Sequence, residues 1–461
     1  MLISVLHYIE YFLRCQFVFA YNVNEMSKEN EATTMQKFDS PEYRRSRGAY
    51  MTQCTVEYFV ALLATGGFLA KLLTSIGISD ALTGVISSIS TLAYVFQLLS
   101  ILLVRLKLNT KKLVVVLDSA SIFFYMFLYF VPFVTENQTL RTVLAVGSVL
   151  FAYVSRFLIF NIYYKWANSY ADPTKRARFS ATKETISLFT GMIFTLILGY
   201  VIDGYEALGN IRGGFLFTAI SILILNISNF ICLMMIKNDD EDKHEGDSQP
   251  LKVVIRETLG NRSFRNVTLL NILYNTGIYF TVGFIAVFKT SDLMMSLVQI
   301  EIIALAANFF RMLVTRPIGK YSDRHSFAKG YELGMWLAAA AFFVNIFTTP
   351  TTWVLVIVYT ILYNCSIAGT SENSFNMIYN YVDSKYFAQA MALKNCISGI
   401  IGFGASIVGG WILAYVQANG NQIAGVPVYG QQVLSLLSFV VVMGAIVFSR
   451  KVVSKQSITV R

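Results

Sequence analysis

Charged side chains stand inside long apolar stretches of this 461-residue chain, and they are the residues whose types could do chemistry. Glu57, Glu301 and Glu372 are carboxylates, which can take up and release a proton. Arg156 and Arg311 are permanent cations that suit an anionic or polyhydroxylated solute. A charge at the middle of a membrane costs about 2.5–3.5 kcal/mol on insertion scales. Such residues are therefore candidates for binding a solute or a coupling ion.

Some of these residues have a second interpretation. Glu57 and Glu372 lie near the ends of their apolar stretches, where each carboxylate can instead reach water or pair with a lysine such as Lys394. Asp118 and Lys394 lie nearer still to such ends, and we interpret both as structural. Asparagine side chains inside membrane helices often serve to pack helices together. The predicted set for substrate or ion binding is Glu57, Arg156, Asn271, Asn275, Glu301, Asn308, Arg311, Glu372 and Asn373.

Residue patterns for metal binding and for catalysis are missing from the sequence. The three histidines (His7, His244 and His325) are scattered, and the five cysteines lack the spacing of metal ligands. The sequence has no Gly-x-x-x-x-Gly-Lys-Ser/Thr phosphate-binding segment, which argues against an ATP-driven pump. It also has no zinc-protease or Gly-x-Ser-x-Gly signature. We therefore predict no metal, no cofactor and no enzymatic activity.

Long apolar helices are the elements that position these residues. The chain is 55% hydrophobic and 14% charged, with a mean hydropathy of +0.56, whereas soluble domains carry about 25% charged residues. Its apolar blocks have the length of about 20 residues that a helix needs to cross a bilayer. We predict an all-α membrane protein with twelve transmembrane helices. The predicted spans are residues 51–73, 82–103, 113–133, 142–164, 182–202, 213–236, 267–288, 293–315, 331–347, 352–379, 390–416 and 433–448.

Basic residues crowd every second loop, as in Arg44 and Arg45 before span 1 and Lys111 and Lys112 after span 2. The opposite loops hold few basic residues, namely Lys71, Arg141, Arg212 and Lys289. By the positive-inside rule, this pattern predicts a multi-pass protein of the cell membrane with both termini in the cytoplasm. The net charge of +10 also suits a nucleic-acid-binding protein, but basic residues tied to span ends in short loops argue against that class.

The remaining segments are predicted to be cytoplasmic, although residues 1–21 are largely apolar. Residues 1–48 form a leader, and we hypothesise that translation starts at Met26, because residues 27–47 have the composition of an ordinary basic leader. Residues 238–266 form a solvated linker, in which residues 251–259 predict a short amphipathic helix at the membrane surface. Residues 450–461 form a tail.

The two halves of the chain repeat at an offset of 211 residues. Thr65-Gly66 recurs as Thr276-Gly277, and Ser79-Asp80 recurs as Ser291-Asp292 with an offset of 212. The clearest match joins spans 5 and 11, where Lys183, Ile186, Ser187, Gly191 and Gly199 fall on Lys394, Ile397, Ser398, Gly402 and Gly410. Such a parallel repeat predicts two six-helix bundles, residues 49–237 and 267–449, related by an axis along the membrane normal.

The chain resembles the major facilitator superfamily over residues 50–448, in its six plus six spans, its cytoplasmic termini and its long central loop. The segment Arg316–Arg324 after span 8 resembles the loop motif of that superfamily, with Gly319 four residues before Asp323 and Arg324. The resemblance implies that spans 1, 4, 7 and 10 line a central cavity and that Gly319, Asp323 and Arg324 gate it. Alternatively, Asp323 and Arg324 only cap a turn. The loop 105–112 lacks the motif, and span 5 lacks the Gly-Pro pair of drug–proton antiporters.

The resemblance therefore implies a secondary transporter that moves a small solute by alternating access, as a monomer in the lipid bilayer, with coupling to protons or sodium. Two alternatives stay open. One is efflux of drugs or lipids, which the aromatic content of 14% suggests. The other is a membrane sensor on the same scaffold that binds a ligand without moving it.

Overall fold

The computed structural model describes residues 40–103, 109–168, 176–237, 251–382, 387–423 and 425–456. In chain order the helices are α1 Pro41–Leu63, α2 Gly66–Ser75, α3 Asp80–Ser87, α4 Ile89–Leu92, α5 Tyr94–Leu103, α6 Thr110–Val134, α7 Gln138–Asn168, α8 Arg176–Ala207, α9 Ile211–Met235, α10 Leu251–Gly260, α11 Arg262–Tyr279, α12 Val282–Val287, α13 Leu297–Arg324, α14 Phe327–Asn345, α15 Leu355–Tyr381, α16 Phe387–Ala418 and α17 Gly430–Phe448. Two π-helical turns, Phe288–Asp292 and Ser449–Val453, extend α12 and α17. The short strands β1 (Gln422–Ile423) and β2 (Val426–Pro427) pair antiparallel, with Gln422 opposite Pro427.

The predicted all-α membrane fold is confirmed, but the count of twelve spans is not fully confirmed. Within the described residues, nine helical segments are long and apolar enough to cross a membrane, or ten if α1 and α2 count as one span. Helices α14 and α15 stand where spans 9 and 10 were predicted, yet neither meets that criterion. For α15 the reason is its polar content, since Asn364, Glu372 and Asn373 interrupt the apolar sequence.

Among the described residues the helices form two compact units, which we call unit A (residues 40–64 and 99–237) and unit B (residues 65–98 and 251–456). These bounds differ from the predicted bundles, because residues 65–98 group with the second half of the chain. The predicted amphipathic helix of the linker is present as α10. The hypothesis about Met26, most of the leader and residues 238–250 of the linker lie outside the described residues.

The Thr-Gly pair of the repeat has a different role in each copy. Gly66 has φ of 60°, a left-handed conformation that favours glycine, and it opens α2 directly after α1 ends. Gly277 lies inside α11, where an added Cβ would stand 2.8 Å from Val442 Cγ2 of α17. The first glycine therefore permits a break in the predicted span 1, and the second permits close packing of two helices.

The repeat is clearest in α8 and α16. Both ends of these helices are offset by 211 residues (387 − 176 and 418 − 207). Three pairs of polar residues that the repeat relates are buried in both helices: Lys183 and Lys394, Ser187 and Ser398, and Thr195 and Ser406. The two units therefore use the same polar positions of this helix for packing inside each unit.

Helix α13 differs from prediction at its end. Ser296 and Gln299 form a capping box at its start, and the helix continues through Pro317 to Arg324. The motif segment Arg316–Arg324 is therefore helical, and its prediction as a loop was wrong. A basic residue in the last turn stabilises a helix C-terminus through the helix dipole, so the charged sequence does not end the helix.

Candidate functional site

Glu57 of α1, Asp118 of α6 and Arg156 of α7 form a buried cluster in unit A, which we call the acid–arginine cluster. The guanidinium of Arg156 makes an ion pair with each carboxylate, through Nη2 to Glu57 Oε1 and through Nη1 to Asp118 Oδ1. The side chains of Arg156 and Asp118 are 7% and 1% exposed, whereas that of Glu57 is 18% exposed. Asp118, which was predicted to be a structural residue near a span end, is the second acidic partner of Arg156.

The two carboxylates differ in how tightly the protein holds them. Asp118 Oδ2 accepts hydrogen bonds from Asn229 Nδ2 of α9 at 2.8 Å and from Gln53 Nε2 of α1 at 3.2 Å. Gln53 Nε2 is 3.4 Å from Glu57 Oε2. Asp118 is thus fixed on both oxygens and closed to solvent, while Glu57 is the more accessible acid and has fewer strong contacts. Glu57 is therefore the carboxylate better placed to exchange a proton.

Aromatic rings complete the cluster. The Tyr163 hydroxyl donates to Gln53 Oε1, and the Arg156 guanidinium carbon lies 4.7 Å from the centre of the Tyr163 ring. A cation over an aromatic face is stabilised by the ring quadrupole, more strongly where water is excluded. Lys183 Nζ of α8 donates to Tyr50 Oη at 3.3 Å and acts electrostatically on Glu57. Arg156 and Lys183 therefore both act on the carboxylates of the acid–arginine cluster.

Unit B holds a second polar chain across α16, α15 and α11. Lys394 Nζ donates to Ser374 Oγ at 3.0 Å, and Ser374 Oγ donates to Asn271 Oδ1 at 3.1 Å. All three residues are buried. Lys394 had been interpreted as structural or as a partner for Glu57 or Glu372. It donates to Ser374, and Glu57 pairs with Arg156 instead.

Lys289 was predicted to lie in a loop, and that prediction was wrong. It lies in the π-helical turn Phe288–Asp292 and is 6% exposed. Its Nζ donates to Thr360 Oγ1 of α15 at 2.9 Å. The span continues for four residues beyond its predicted end at Phe288, because the amphipathic lysine side chain reaches a hydroxyl inside the unit.

The structure brings only some of the predicted residues together. Glu57 and Arg156 are paired in unit A, and in unit B the buried residues are Asn271, Glu301 and Asn373. Asn373 Nδ2 donates to Gly369 O of its own helix at 2.7 Å. Half-buried residues of unit B are Asn275, Asn308, Arg311 and Glu372. The motif residues Gly319, Asp323 and Arg324 are all exposed.

The residues that sequence reasoning missed are single polar side chains in otherwise apolar helices. Asn229 and Thr360 gave no periodic signal, and an isolated asparagine or threonine in a span is commonly a packing residue. Asp118 carried a usable signal, since a carboxylate eight residues into an apolar helix requires a partner. Its partner could not be known without the packing of α6 against α7.

The long apolar helices are those of a multi-pass membrane protein. A family model described as MFS/sugar transport protein matches residues 114–449, so the chain belongs to this family of the major facilitator superfamily. The resemblance drawn from the sequence is thereby confirmed. No curated protein sequence matches the chain.

Several solved structures share the fold. A D323A mutant of the nucleoside transporter NupG has 14% identity and a TM-score of 0.66, with 88% of this chain and 99% of that chain covered. A bacterial homologue of the human lysosomal transporter Spinster, inward-facing and unoccupied, has 14% identity and a TM-score of 0.66, covering 90% and 98%. A structure from work on proton-dependent oligopeptide transporters has 15% identity and a TM-score of 0.57, covering 89% and 97%.

Proposed function

We propose that this protein is a secondary active transporter that moves a small polar solute across the cell membrane in symport with protons. Family membership supports transport by alternating access, in which the two halves of such proteins rearrange around a central solute. The observation that carries the proton coupling is the acid–arginine cluster, where one arginine is shared by a fixed acid and a more exposed acid.

Competition for Arg156 links the proton to the solute. When Glu57 is ionised, it occupies Nη2 of Arg156. When Glu57 takes up a proton, its attraction to the guanidinium weakens, because an ion pair becomes a neutral hydrogen bond. Arg156 stays in place, since Asp118 and the Tyr163 ring still hold it. The freed N–H groups of Arg156 then donate to an oxygen of the solute. Proton binding and solute binding therefore favour one another, and this reciprocity defines symport.

The solute class is proposed from the chemistry of Arg156. A guanidinium binds carboxylate or closely spaced hydroxyl oxygens in a fork. Two of the structural relatives carry names that fit small polar cargo, a nucleoside transporter and proton-dependent oligopeptide transporters. Glu301 and Glu372 remain candidates for a second ion-binding step, with Asn271, Asn275, Asn308, Arg311 and Asn373 as further candidates for solute binding.

Gly319, Asp323 and Arg324 are proposed to act as a gate. They are exposed at the end of α13 in this structure. In a second state, the Asp–Arg pair would make charge-assisted hydrogen bonds to neighbouring helix ends. The glycine would allow the close approach that this contact needs. With the basic loops facing the cytoplasm, the gate would close the cytoplasmic side.

Two measurements test the proposed function. First, a thermal-shift screen of the detergent-purified protein against metabolites identifies a solute, since a ligand that binds the folded state raises the unfolding temperature. Second, vesicles containing the protein are loaded and challenged with proton or sodium gradients. Symport predicts solute accumulation driven by an inward proton gradient and loss of this accumulation in Arg156→Met. The matched control is Arg212→Met, because Arg212 is an exposed arginine whose ion pair with Glu136 is 3.7 Å long.

Accumulation that ignores both gradients would contradict the proposal. Binding of a metabolite without any flux in either direction would instead favour a sensor on this scaffold.

A further inference from the structure

Four charged side chains act on one another at the acid–arginine cluster, and the proposed mechanism uses only three of them. Arg156, Glu57 and Asp118 form the two ion pairs, and Lys183 of α8 is the fourth, since it acts electrostatically on Glu57. Arg156, Asp118 and Lys183 are all buried. A buried charge is costly unless it is compensated, so the total charge of this group restricts what it can bind.

Proton uptake by Glu57 removes one negative charge from this group. Arg156 then keeps Asp118 as its acidic partner, and Lys183 loses the attraction of Glu57. Glu184 also acts on Lys183, but it does so whether or not Glu57 carries a proton. Because water compensates buried charges poorly, the lost negative charge favours a bound molecule that supplies it again.

The helices around Glu57 define this change of charge. The charged groups that act most strongly on Glu57 are Asp118 of α6, Arg156 of α7 and Lys183 of α8. Helix α9 contributes a neutral amide, Asn229, which donates to Asp118. The other titratable groups that interact with Glu57 are uncharged when protonated, and they are Tyr50, Cys54 and Tyr163. The protonation of Glu57 is therefore a change of one full charge in a group whose other members stay as they are.

The position that Glu57 leaves is suited to a second carboxylate. Arg156 Nη2 is paired with Glu57 Oε1, whereas Nη1 is held by Asp118 and the guanidinium lies over the Tyr163 ring. Hydrogen bonds between ionised partners are about twice as strong as neutral ones, so a carboxylate replaces this contact fully and a hydroxyl only in part. Glu57 is also the most exposed of the three ion-paired residues, at 18%, so a molecule from solution can approach Nη2 from its side.

We propose that the transported solute is a monocarboxylate, which takes the place of Glu57 at Arg156 Nη2 when Glu57 is protonated. One proton and one singly charged anion then bind together, and the group regains the charge that it has without them. A neutral solute would leave one negative charge missing, and a dianion would add one too many. The inference rests on the proposed function in taking Arg156 as the solute-binding residue. It narrows the solute to monoanions and makes the symport electroneutral.

The first test measures binding to the purified full-length protein in detergent, where no transport is needed. The probes are two monocarboxylates with their uncharged amides, lactate with lactamide and benzoate with benzamide, and the dicarboxylate malonate. We expect at least one monocarboxylate to raise the unfolding temperature. Its amide and malonate should bind at least about tenfold more weakly, because each leaves the buried group with a different charge. Lys183→Met should weaken binding of the monocarboxylate more than that of its amide.

The second test counts protons. When the active monocarboxylate is added to weakly buffered protein, at a pH where Glu57 is ionised, about one proton should leave the solution for each molecule bound, because the two ligands favour one another. In Glu57→Gln the same molecule should bind without proton uptake, since glutamine is uncharged at every pH. The matched control is Glu136→Gln, which should keep the uptake because the Glu136 side chain is 84% exposed.

The third test uses vesicles. Electroneutral symport predicts that a proton gradient drives accumulation of the active monocarboxylate, whereas a potassium diffusion potential alone drives none. Symport of a neutral solute with a proton would instead move one positive charge, and a membrane potential acts directly on a moving charge.

Three binding results would overturn the inference. They are the absence of a shift with both monocarboxylates, an amide that binds as tightly as its acid, and binding of a monocarboxylate without proton uptake. The proposed function fails differently. A protein that binds a monocarboxylate together with a proton but shows no flux in vesicles would keep the inference about charge and lose transport. Proton-driven flux of a neutral solute that carries current would keep transport and remove the inference.

Discussion

Lys183 and Lys394 are equivalent residues of the internal repeat, and each donates its ammonium to a hydroxyl on a neighbouring helix. Lys183 Nζ is 3.3 Å from Tyr50 Oη, and Lys394 Nζ is 3.0 Å from Ser374 Oγ. Both lysines are buried, at 2% and 6% exposure. A buried ammonium without acceptors is strongly unfavourable, so the two hydroxyl groups have the same task in unit A and unit B.

We predict that Tyr50→Phe and Ser374→Ala each lower the free energy of unfolding by about 1–3 kcal/mol, because each leaves a buried charge with one acceptor fewer. The measurement is thermal unfolding in detergent. Tyr415→Phe and Ser221→Ala are matched controls, because Tyr415 is exposed and the hydroxyl of the half-buried Ser221 donates only to Phe217 O of its own helix. Unfolding temperatures that match those of the controls would show that the lysines do not depend on these hydroxyls.

The two acids of the acid–arginine cluster should differ in their importance for stability. Asp118 accepts from Arg156, Asn229 and Gln53, whereas Glu57 is more exposed. Breaking a buried ion pair costs about 3–5 kcal/mol, so we expect Asp118→Ala to approach that loss and Glu57→Ala to fall well below it. Unfolding temperatures of the two variants give the comparison. An equal or larger loss in Glu57→Ala would contradict the assignment of Asp118 as the fixed acid.

The glycines of the repeated Thr-Gly pair should respond in opposite ways to asparagine. At Gly66 the left-handed conformation costs an alanine about 1–2 kcal/mol, and no atom lies within 4 Å of an added Cβ. Asparagine tolerates that conformation better, so Gly66→Asn should be more stable than Gly66→Ala. At Gly277, where Val442 blocks the Cβ, overpacking costs about 1–3 kcal/mol. Gly277→Asn should therefore be less stable than Gly277→Ala.

These four variants are compared by unfolding temperature in one detergent. If the alanine and asparagine variants had the same order of unfolding temperatures at both positions, backbone conformation would not distinguish the two glycines.

The variant Gly319→Ala distinguishes an effect on the stability of this structure from an effect on the proposed gate. An added Cβ meets no atom within 4 Å, and alanine is favoured over glycine inside a helix by about 0.5–1 kcal/mol. The unfolding temperature should therefore rise slightly. Transport should fall, because the methyl group hinders close packing in the second state and so shifts the equilibrium away from it. A variant that is more stable and transports at the wild-type rate would remove Gly319 from the gate.

Hydrophobicity predicted most of the helices, because an apolar block of span length has few alternatives to a membrane helix. The prediction failed where local geometry outweighs hydrophobicity. Gly66 breaks the helix of the first span through its positive φ, although the Gly66-Gly67 pair is a breaker signal that hydrophobicity alone does not use. Helix α13 continues past its apolar part because helices extend beyond the bilayer as long as their backbone hydrogen bonds are satisfied.

The candidate site was predictable in its charged residues and less so in their partners. Glu57 and Arg156 were identified because a charge in an apolar stretch is exceptional. Asp118 was interpreted as structural because it lies near a span end, and the packing of α6 against α7 that places it beside Arg156 could not be known from the sequence. Lys289 was predicted to lie in a loop because basic residues were taken to mark loops. Its contact with Thr360 depends on long-range packing.

The central claim, that a proton on Glu57 releases Arg156 for the solute, is tested most directly by Glu57→Gln in vesicles. Once a solute is identified, two rates are measured: exchange of labelled for unlabelled solute, and accumulation driven by a proton gradient. Glutamine resembles the protonated acid, so we predict that exchange continues and loses its pH dependence while accumulation is abolished. Accumulation at the wild-type rate in Glu57→Gln, with unchanged pH dependence, would contradict the account.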